Sequence, residues 1–325
     1  MKEIKVRQFL RNWSLPIAMA TGVVSYLLYA NIPLFDSTHE FVEAVIAIAQ
    51  PWLIFAMLFI TFCRVRISDL KPSQWHLWLL AFQVIAFIAI SMLIAFVPGI
   101  SPSFKVILEG VMLCLLTPTA TAAAVIVARL GGNTASLIAY TIQINIIVAI
   151  VAPLCLSLSH PVEGMTLTES FLLIMAKVFP LLLLPLICAE LLRRLFPRVH
   201  NFIVTKGRNW PFYHWLVALT LAIAMTTRAI VHSDLSFWVM AAIALMSLVC
   251  CILQFVLGRI VGRRYGDVTA AGQALGQKNT VFAIWFAYTF LTPVTAIAGG
   301  FYSIWHNLAN SLQLYRHNHK RDQHK

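Results

Sequence analysis

The chain has 325 residues, 60% of them hydrophobic and 11% charged. A soluble domain averages about 45–50% apolar and about 25% charged residues, so this composition belongs to a bilayer protein with no room for a sizeable soluble domain. The net charge of +12 lies in short basic loops between apolar runs, which reads as a topology signal and not as a nucleic-acid surface.

Lys2, Lys5, Arg7 and Arg11 precede the first apolar run. Ala18-Met19-Ala20 mimics a signal-cleavage site, but the run continues to about Ile32, longer than the roughly 7–15 residues of a signal core. It is expected to be a first transmembrane helix. Nine more candidate spans follow, giving 13–33, 41–63, 75–97, 105–130, 133–156, 169–193, 212–232, 236–259, 267–290 and 293–314.

The loops test this count. With both termini cytoplasmic, in an inner or plasma membrane, the inner side holds the N-terminal quartet and then Arg64, Arg66, Lys71 and Arg129. It also takes Arg193, Arg194, Arg198, Lys206, Arg208, Arg259, Arg263 and Arg264, and in the tail Arg316, Lys320, Arg321 and Lys325. Of the 24 Lys and Arg only Lys105 and Arg228 fall outside, while Lys177 and Lys278 fall within spans. A miscounted span near the middle would destroy that asymmetry.

Ten spans divide into two sets of five, and an odd number per half inserts the halves with opposite orientation. The expected fold is therefore an all-α membrane protein of about ten transmembrane helices in two inverted five-helix repeats. The repeats would be 1–156 and 157–315, followed by a basic cytoplasmic tail, 316–325. In such proteins binding sites form at interrupted helices in matching places. The fourth span carries Thr117-Pro118-Thr119-Ala120-Thr121, where proline removes a backbone donor and disfavours helix at the residue before it. The ninth carries Gly272-Gln273 and then Gly276-Gln277-Lys278-Asn279, a polar, glycine-bearing stretch that the bilayer tolerates only where it is buried in protein or wet.

Lys278 is the most informative residue. An ammonium at bilayer depth costs at least about 2.5–3.5 kcal/mol, so it should face the bundle interior. Three readings remain open: a fixed cation joining the broken helices, a proton-coupling group or anion ligand, or a structural lysine snorkelling to an interface. Lys177 and Glu109 lie nearer span ends, where snorkelling is expected, although Glu109 could pair with a buried lysine. His306 and Asn307 are polar at depth in the last span; a packing role is the first expectation for the histidine. The six cysteines show no ligand spacing and are expected to be buried free thiols. No metal motif, nucleophile elbow or phosphate loop occurs, so neither an enzyme nor a cofactor or metal is expected.

Three segments carry a family resemblance: Pro118-Thr119-Ala120-Thr121-Ala122, Gly276-Gln277-Lys278-Asn279, and the run from Pro293 through Ala298-Gly299-Gly300-Phe301-Tyr302-Ser303 to Trp305-His306-Asn307. In order and spacing they resemble the bile acid:sodium symporter superfamily over essentially the whole chain. The resemblance implies a panel and a core domain, with discontinuous fourth and ninth spans crossing in the core. It also implies alternating access by movement of core against panel. The family's sodium ligands would fall at Ala123, Ala124, Leu137 and Ala274, which offer no side-chain oxygen, and Thr141 alone is retained. Lys278 falls where the family has glutamine, so its ammonium would stand where sodium sits.

The expected function is secondary transport of a small or amphipathic organic anion, sodium-independent, with protons as a further partner and no nucleic acid. The ion or substrate site would draw on Thr117, Pro118, Thr119, Thr121, Thr141, Gln273, Gly276, Gln277, Lys278, Asn279, His306 and Asn307. The alternatives are a sodium symporter with a rebuilt ion site, a cation/proton antiporter, which normally needs carboxylates at the crossing, and a non-transporting receptor.

Overall fold

The computed structural model describes residues 14–66, 70–207 and 210–323. The expectations placed on Lys2, Lys5, Arg7, Arg11, Arg208 and Lys325 lie outside them. Within them the chain folds as α1 (Ser14–Asn31), a 3-10 turn (Pro33–Thr38), α2 (His39–Cys63), α3 (Gln74–Phe96), α4 (Pro102–Leu116), α5 (Ala123–Arg129) and α6 (Thr134–Ser159). It continues as α7 (Leu167–Leu195), α8 (Pro197–Thr205), α9 (Trp210–Val231), α10 (Phe237–Arg264), α11 (Val268–Gly276), α12 (Thr280–Phe290) and α13 (Ala296–Gln323). No strand occurs among the described residues, where the only extended pairing is a single bridge between Thr119 and Lys278.

Among the described residues six helices, α2, α3, α6, α7, α9 and α10, are long and apolar enough to cross a membrane. The protein is an all-α membrane protein. The fourth and ninth candidate spans are each split into two short helices, α4/α5 and α11/α12. The last helix runs past 314 to Gln323, so no break separates the tenth candidate span from the tail. A nine-residue helix, α8, occupies what reads in sequence as a loop; its Pro197 at the first helical position supplies a preset φ.

Local chemistry sets the ends. Ser101 caps α4 by accepting the Phe104 N–H, with Pro102 at the first position, and Asn133 caps α6 by accepting from Ser136 N–H. Thr166 and Glu169 form a reciprocal capping box at the start of α7. At the other end of α7, Arg193 donates to the carbonyls of Phe62, Cys63 and Val65, and the His200 ring lies 2.7 Å from the Cys63 carbonyl. These contacts give partners to carbonyls at and just past the C-terminus of α2.

The packing is selective. α1 lies on α9 and α2 on α7. α3 packs on α4 and α6, while α10 packs on α11 and α13. α4 also meets α10 and α13, and α11 meets α3 and α6. The interior between them is filled by Trp75, Met112, Leu113, Tyr140, Phe282 and Phe286, all fully buried. The outer faces carry exposed Trp52, Ile85, Leu172 and Trp238, an arrangement suited to a hydrocarbon surround.

Candidate functional site

Pro118 stops α4 because a proline cannot donate to the preceding turn and disfavours helix at Thr117, whose ψ of 128° is extended. Gln277, with ψ of 103°, leaves α11 in the same way, and Asn279 starts α12 by accepting the Phe282 N–H at 3.3 Å. Each break frees backbone groups that hydrocarbon could not satisfy. They satisfy one another. Ala120 N–H donates to Gln277 O at 2.9 Å, Asn279 N–H donates to Pro118 O at 2.8 Å, and Thr119 Oγ1 donates to Ala274 O at 2.6 Å. The two interruptions thus cross as a two-residue antiparallel bridge centred on Thr119 and Lys278.

Two glutamine–tyrosine pairs brace the crossing. Gln83 on α3 donates through Nε2 to the carbonyls of Leu116 and Thr117, both at 3.1 Å, and accepts from Tyr140 on α6. Gln254 on α10 donates to Cys114 O at 3.3 Å and to Tyr302 Oη at 3.1 Å, while Tyr302 on α13 donates to Gly276 O at 2.9 Å. These four residues are absent from the sequence-based site. A glutamine in the middle of an apolar span is the signal that could have found them. Replacing Tyr302 with Phe leaves Gly276 O and Gln254 Nε2 each short of a partner. The expected loss is roughly 1–3 kcal/mol of stability, read as a lower unfolding temperature in detergent.

Lys278 is 1% exposed, and its Nζ has no hydrogen-bond partner. It lies within electrostatic reach of Cys114, in the last turn of α4, and of Cys250 on α10. The C-terminal ends of α4 and α11 both point into the crossing, and their partial negative charge favours a cation there. The snorkelling reading of Lys278 does not fit this burial. More unpartnered polar atoms belong to the site residues and their neighbours: Gln273 Oε1, Gln277 Oε1, Asn279 Nδ2, Ser303 Oγ and His306 Nδ1. Such a concentration of unmet capacity in an apolar bundle is the physical mark of a place where a polar guest or water belongs.

The remaining candidates divide. Thr117 is buried and donates to Leu113 O at 2.6 Å, and Thr141 donates to Leu137 O at 2.9 Å, so both hydroxyls serve their own helices. Thr121 lies buried in the turn before α5. Gln273 reaches away from the bridge to Asn310 Oδ1 at 2.9 Å and Gln313 Oε1 at 3.1 Å. His306 sits edge-on to the Tyr302 ring at 5.7 Å, and Asn307 donates to Ser303 O at 2.7 Å. Gly276 is required by contact: a Cβ there would sit 2.4 Å from the Phe255 ring.

The outlying charges are corrected in one case. Glu109 does not snorkel; it is 3% exposed and held by His160 and Thr295, each at 2.9 Å, not by a lysine. Lys177 is exposed on α7 with Nζ 5.8 Å above the Phe290 ring. All six cysteines are free and five are buried. Cavities adjoin the crossing's helices. A polar one of about 470 Å³ opens where α5 and α10 end, between Gly131–Asn133 and Tyr265–Thr269. A small apolar one of about 10 Å³ lies between Gln83, Phe87, Leu116 and Val148. In comparisons with family models and with curated proteins, no match to this chain was found.

Proposed function

We propose that the protein is a secondary transporter of a small or amphipathic organic anion, working by alternating access without sodium. The observation that carries the reading is the crossing itself: two broken helices bonded through their backbones, with an unpartnered lysine ammonium buried at the join. A buried cation amid unsatisfied polar atoms and apolar walls suits a carboxylate on an apolar body. The same ammonium supplies the positive charge that a bound sodium would otherwise bring to the two helix C-termini.

We read the chain as ten spans in two inverted halves, 1–156 and 157–315. The contacts repeat between the proposed halves: α1 on α9 matches α7 on α2, and α3 on α6 matches α10 on α13. The contact of α4 with α13 matches that of α11 with α6. Gln83 and Tyr140 in the third and fifth spans correspond to Gln254 and Tyr302 in the eighth and tenth. Under this reading α1, α2, α7 and α9 form the panel and the other spans the core. This pattern, with the three sequence segments, supports placing the chain near the bile acid:sodium symporter superfamily as a divergent member. The antiporter alternative lacks support: Glu109, the one buried acid among the described residues, is engaged elsewhere.

The test is uptake of labelled acetate, pyruvate, benzoate and cholate into proteoliposomes preloaded with the same acid, with sodium or choline outside. Protein-dependent exchange of at least one acid, equal in the two salts, is expected. Exchange that requires sodium would overturn the ion assignment, and binding with no exchange would favour a receptor.

A further inference from the structure

Glu109 takes no part in the crossing, yet it is a buried carboxylate built into a chain of hydrogen bonds. Ser159 Oγ meets His160 Nδ1 at 2.9 Å, His160 Nε2 meets Glu109 Oε1 at 2.9 Å, Thr295 Oγ1 donates to Glu109 Oε2 at 2.9 Å, and Thr292 Oγ1 meets Thr295 Oγ1 at 2.9 Å. The chain fastens α4 to the C-terminal end of α6 and to the link before α13. These ends lie together at the side where Lys105 and Arg228 are expected, the outer side under the proposed topology.

Each neighbour in this chain can either donate or accept. With Glu109 ionised, His160 and Thr295 both donate to it. A proton on Oε2 is donated to Thr295, whose hydroxyl turns toward Thr292. A proton on Oε1 is donated to His160 Nε2, with the ring's own proton on Nδ1 facing Ser159 Oγ. Both protonation states therefore leave no buried polar atom without a partner, which is unusual for a buried acid. The His160 side chain is 16% exposed and the Glu109 side chain 4%, so the ring is the path to water.

The surroundings hold few competing charges. On α4 itself Lys105 lies one turn earlier. The facing last turns of α3 (88–96) and first turns of α10 (237–247) contain no ionisable side chain. α12 contributes only Tyr288, which donates to Met225 O. Glu163 lies in the link after His160, His232 and Asp234 in the link leading into α10, and the Arg228–Glu43 pair spans α9 and α2. Cys114, lower on α4, faces Cys250.

We propose that Glu109, held by His160 and Thr295, is a proton-binding site through which the pH of that side sets the rate of exchange. The proton comes from water by way of His160 and returns the same way. Its effect reaches the crossing along α4, about 10 Å of helix from Glu109 to Leu116, two residues before Pro118. The proton site stands on its own geometry; its effect on exchange rests on the carrier reading above.

Infrared titration in lipid nanodiscs, over the whole pH range in which the protein stays folded, reads the site without transport. A protonated-carboxyl band that grows as pH falls is expected in the wild type, absent in Glu109→Gln and shifted in its midpoint in His160→Gln. A band that persists unchanged in Glu109→Gln, or no titrating band in the wild type, overturns the site. The regulatory role is read from whichever of the four acids exchanges fastest, at equal pH on both sides. Wild-type exchange is expected to vary by roughly tenfold over two pH units around the midpoint, and the glutamine variant by less than about twofold. A glutamine variant that keeps the wild-type profile overturns the role. Should Glu109→Gln not assemble, His160→Gln with an unmoved midpoint in both assays does the same. A chain that exchanges none of the acids removes the carrier reading and the regulatory role, while the infrared result still decides the proton site.

Discussion

Lys278→Met is expected to yield a protein that unfolds at a higher temperature than the wild type and, as the carrier proposed above, exchanges anions roughly 10- to 150-fold more slowly. The two effects have one cause. The Lys278 ammonium is 1% exposed and unpartnered, so the folded state bears its desolvation without a compensating hydrogen bond. Methionine has a similar length and no charge; relieving the desolvation of a buried charge with an apolar residue of similar volume should stabilise by about 1–4 kcal/mol, which outweighs the lost attraction of about 0.3–1 kcal/mol to the helix C-termini. Under the proposed carrier reading the same substitution also removes a charge-assisted contact to the anion, worth about 1.5–3 kcal/mol. The measurements are a detergent unfolding curve and the exchange assay on the same preparation. A methionine variant that is both less stable and fully active would show that the lysine is structural and that the anion binds elsewhere.

Gly258→Ala is expected to be among the most destabilising single-methyl changes in the bundle. A Cβ at position 258 would stand 2.5 Å from Ala271 O and 2.9 Å from Gly272 Cα. Both obstacles are backbone, on the half-helix α11 whose last turn sets the bridge at Lys278. A side chain could rotate away, whereas here α10 and α11 must separate. Overpacking of this kind costs about 1–3 kcal/mol, and the displaced α11 would also strain the bonds from Ala120 and Asn279 across the crossing. Gly258→Ala should therefore lower both the unfolding temperature and the exchange rate. By contrast Gly99→Ala, with open space around its Cβ but a φ of 76°, should affect only the local turn after α3, by about 1–2 kcal/mol.

The contrast between these sites and the rest of the bundle shows what each level of description could reach. The apolar spans were legible because the bilayer forces every backbone group to be satisfied within a helix, so length and hydropathy alone mark α2, α3, α6, α7, α9 and α10. The breaks at Pro118 and at Gly276–Asn279 were legible too, since proline, glycine and polar residues at depth have a local physical cost that the sequence displays. The extension of α13 to Gln323 was not, because a polar helix carries no hydropathy signal in water. Nor was α8, whose His200 reaches the Cys63 carbonyl at the end of α2, a link between residues more than a hundred positions apart.

Partnership was decided only in three dimensions. Sequence placed Glu109 as a candidate to snorkel or to neutralise a lysine, and packing gave it to His160 and Thr295. It offered Thr117 and Thr141 as site oxygens, and the folded helices use both hydroxyls internally. It left Gln83, Gln254, Tyr140 and Tyr302 out of the site, although they brace the crossing. The reason is physical: whether a hydrogen bond or a charge contact forms depends on distances of a few tenths of an ångström between elements remote in the chain. Periodicity and composition carry no such information. The sequence by itself determined that this is a helical membrane protein with two polar interruptions; the tertiary structure decided that the interruptions meet, and that Lys278 stands unpaired where they do.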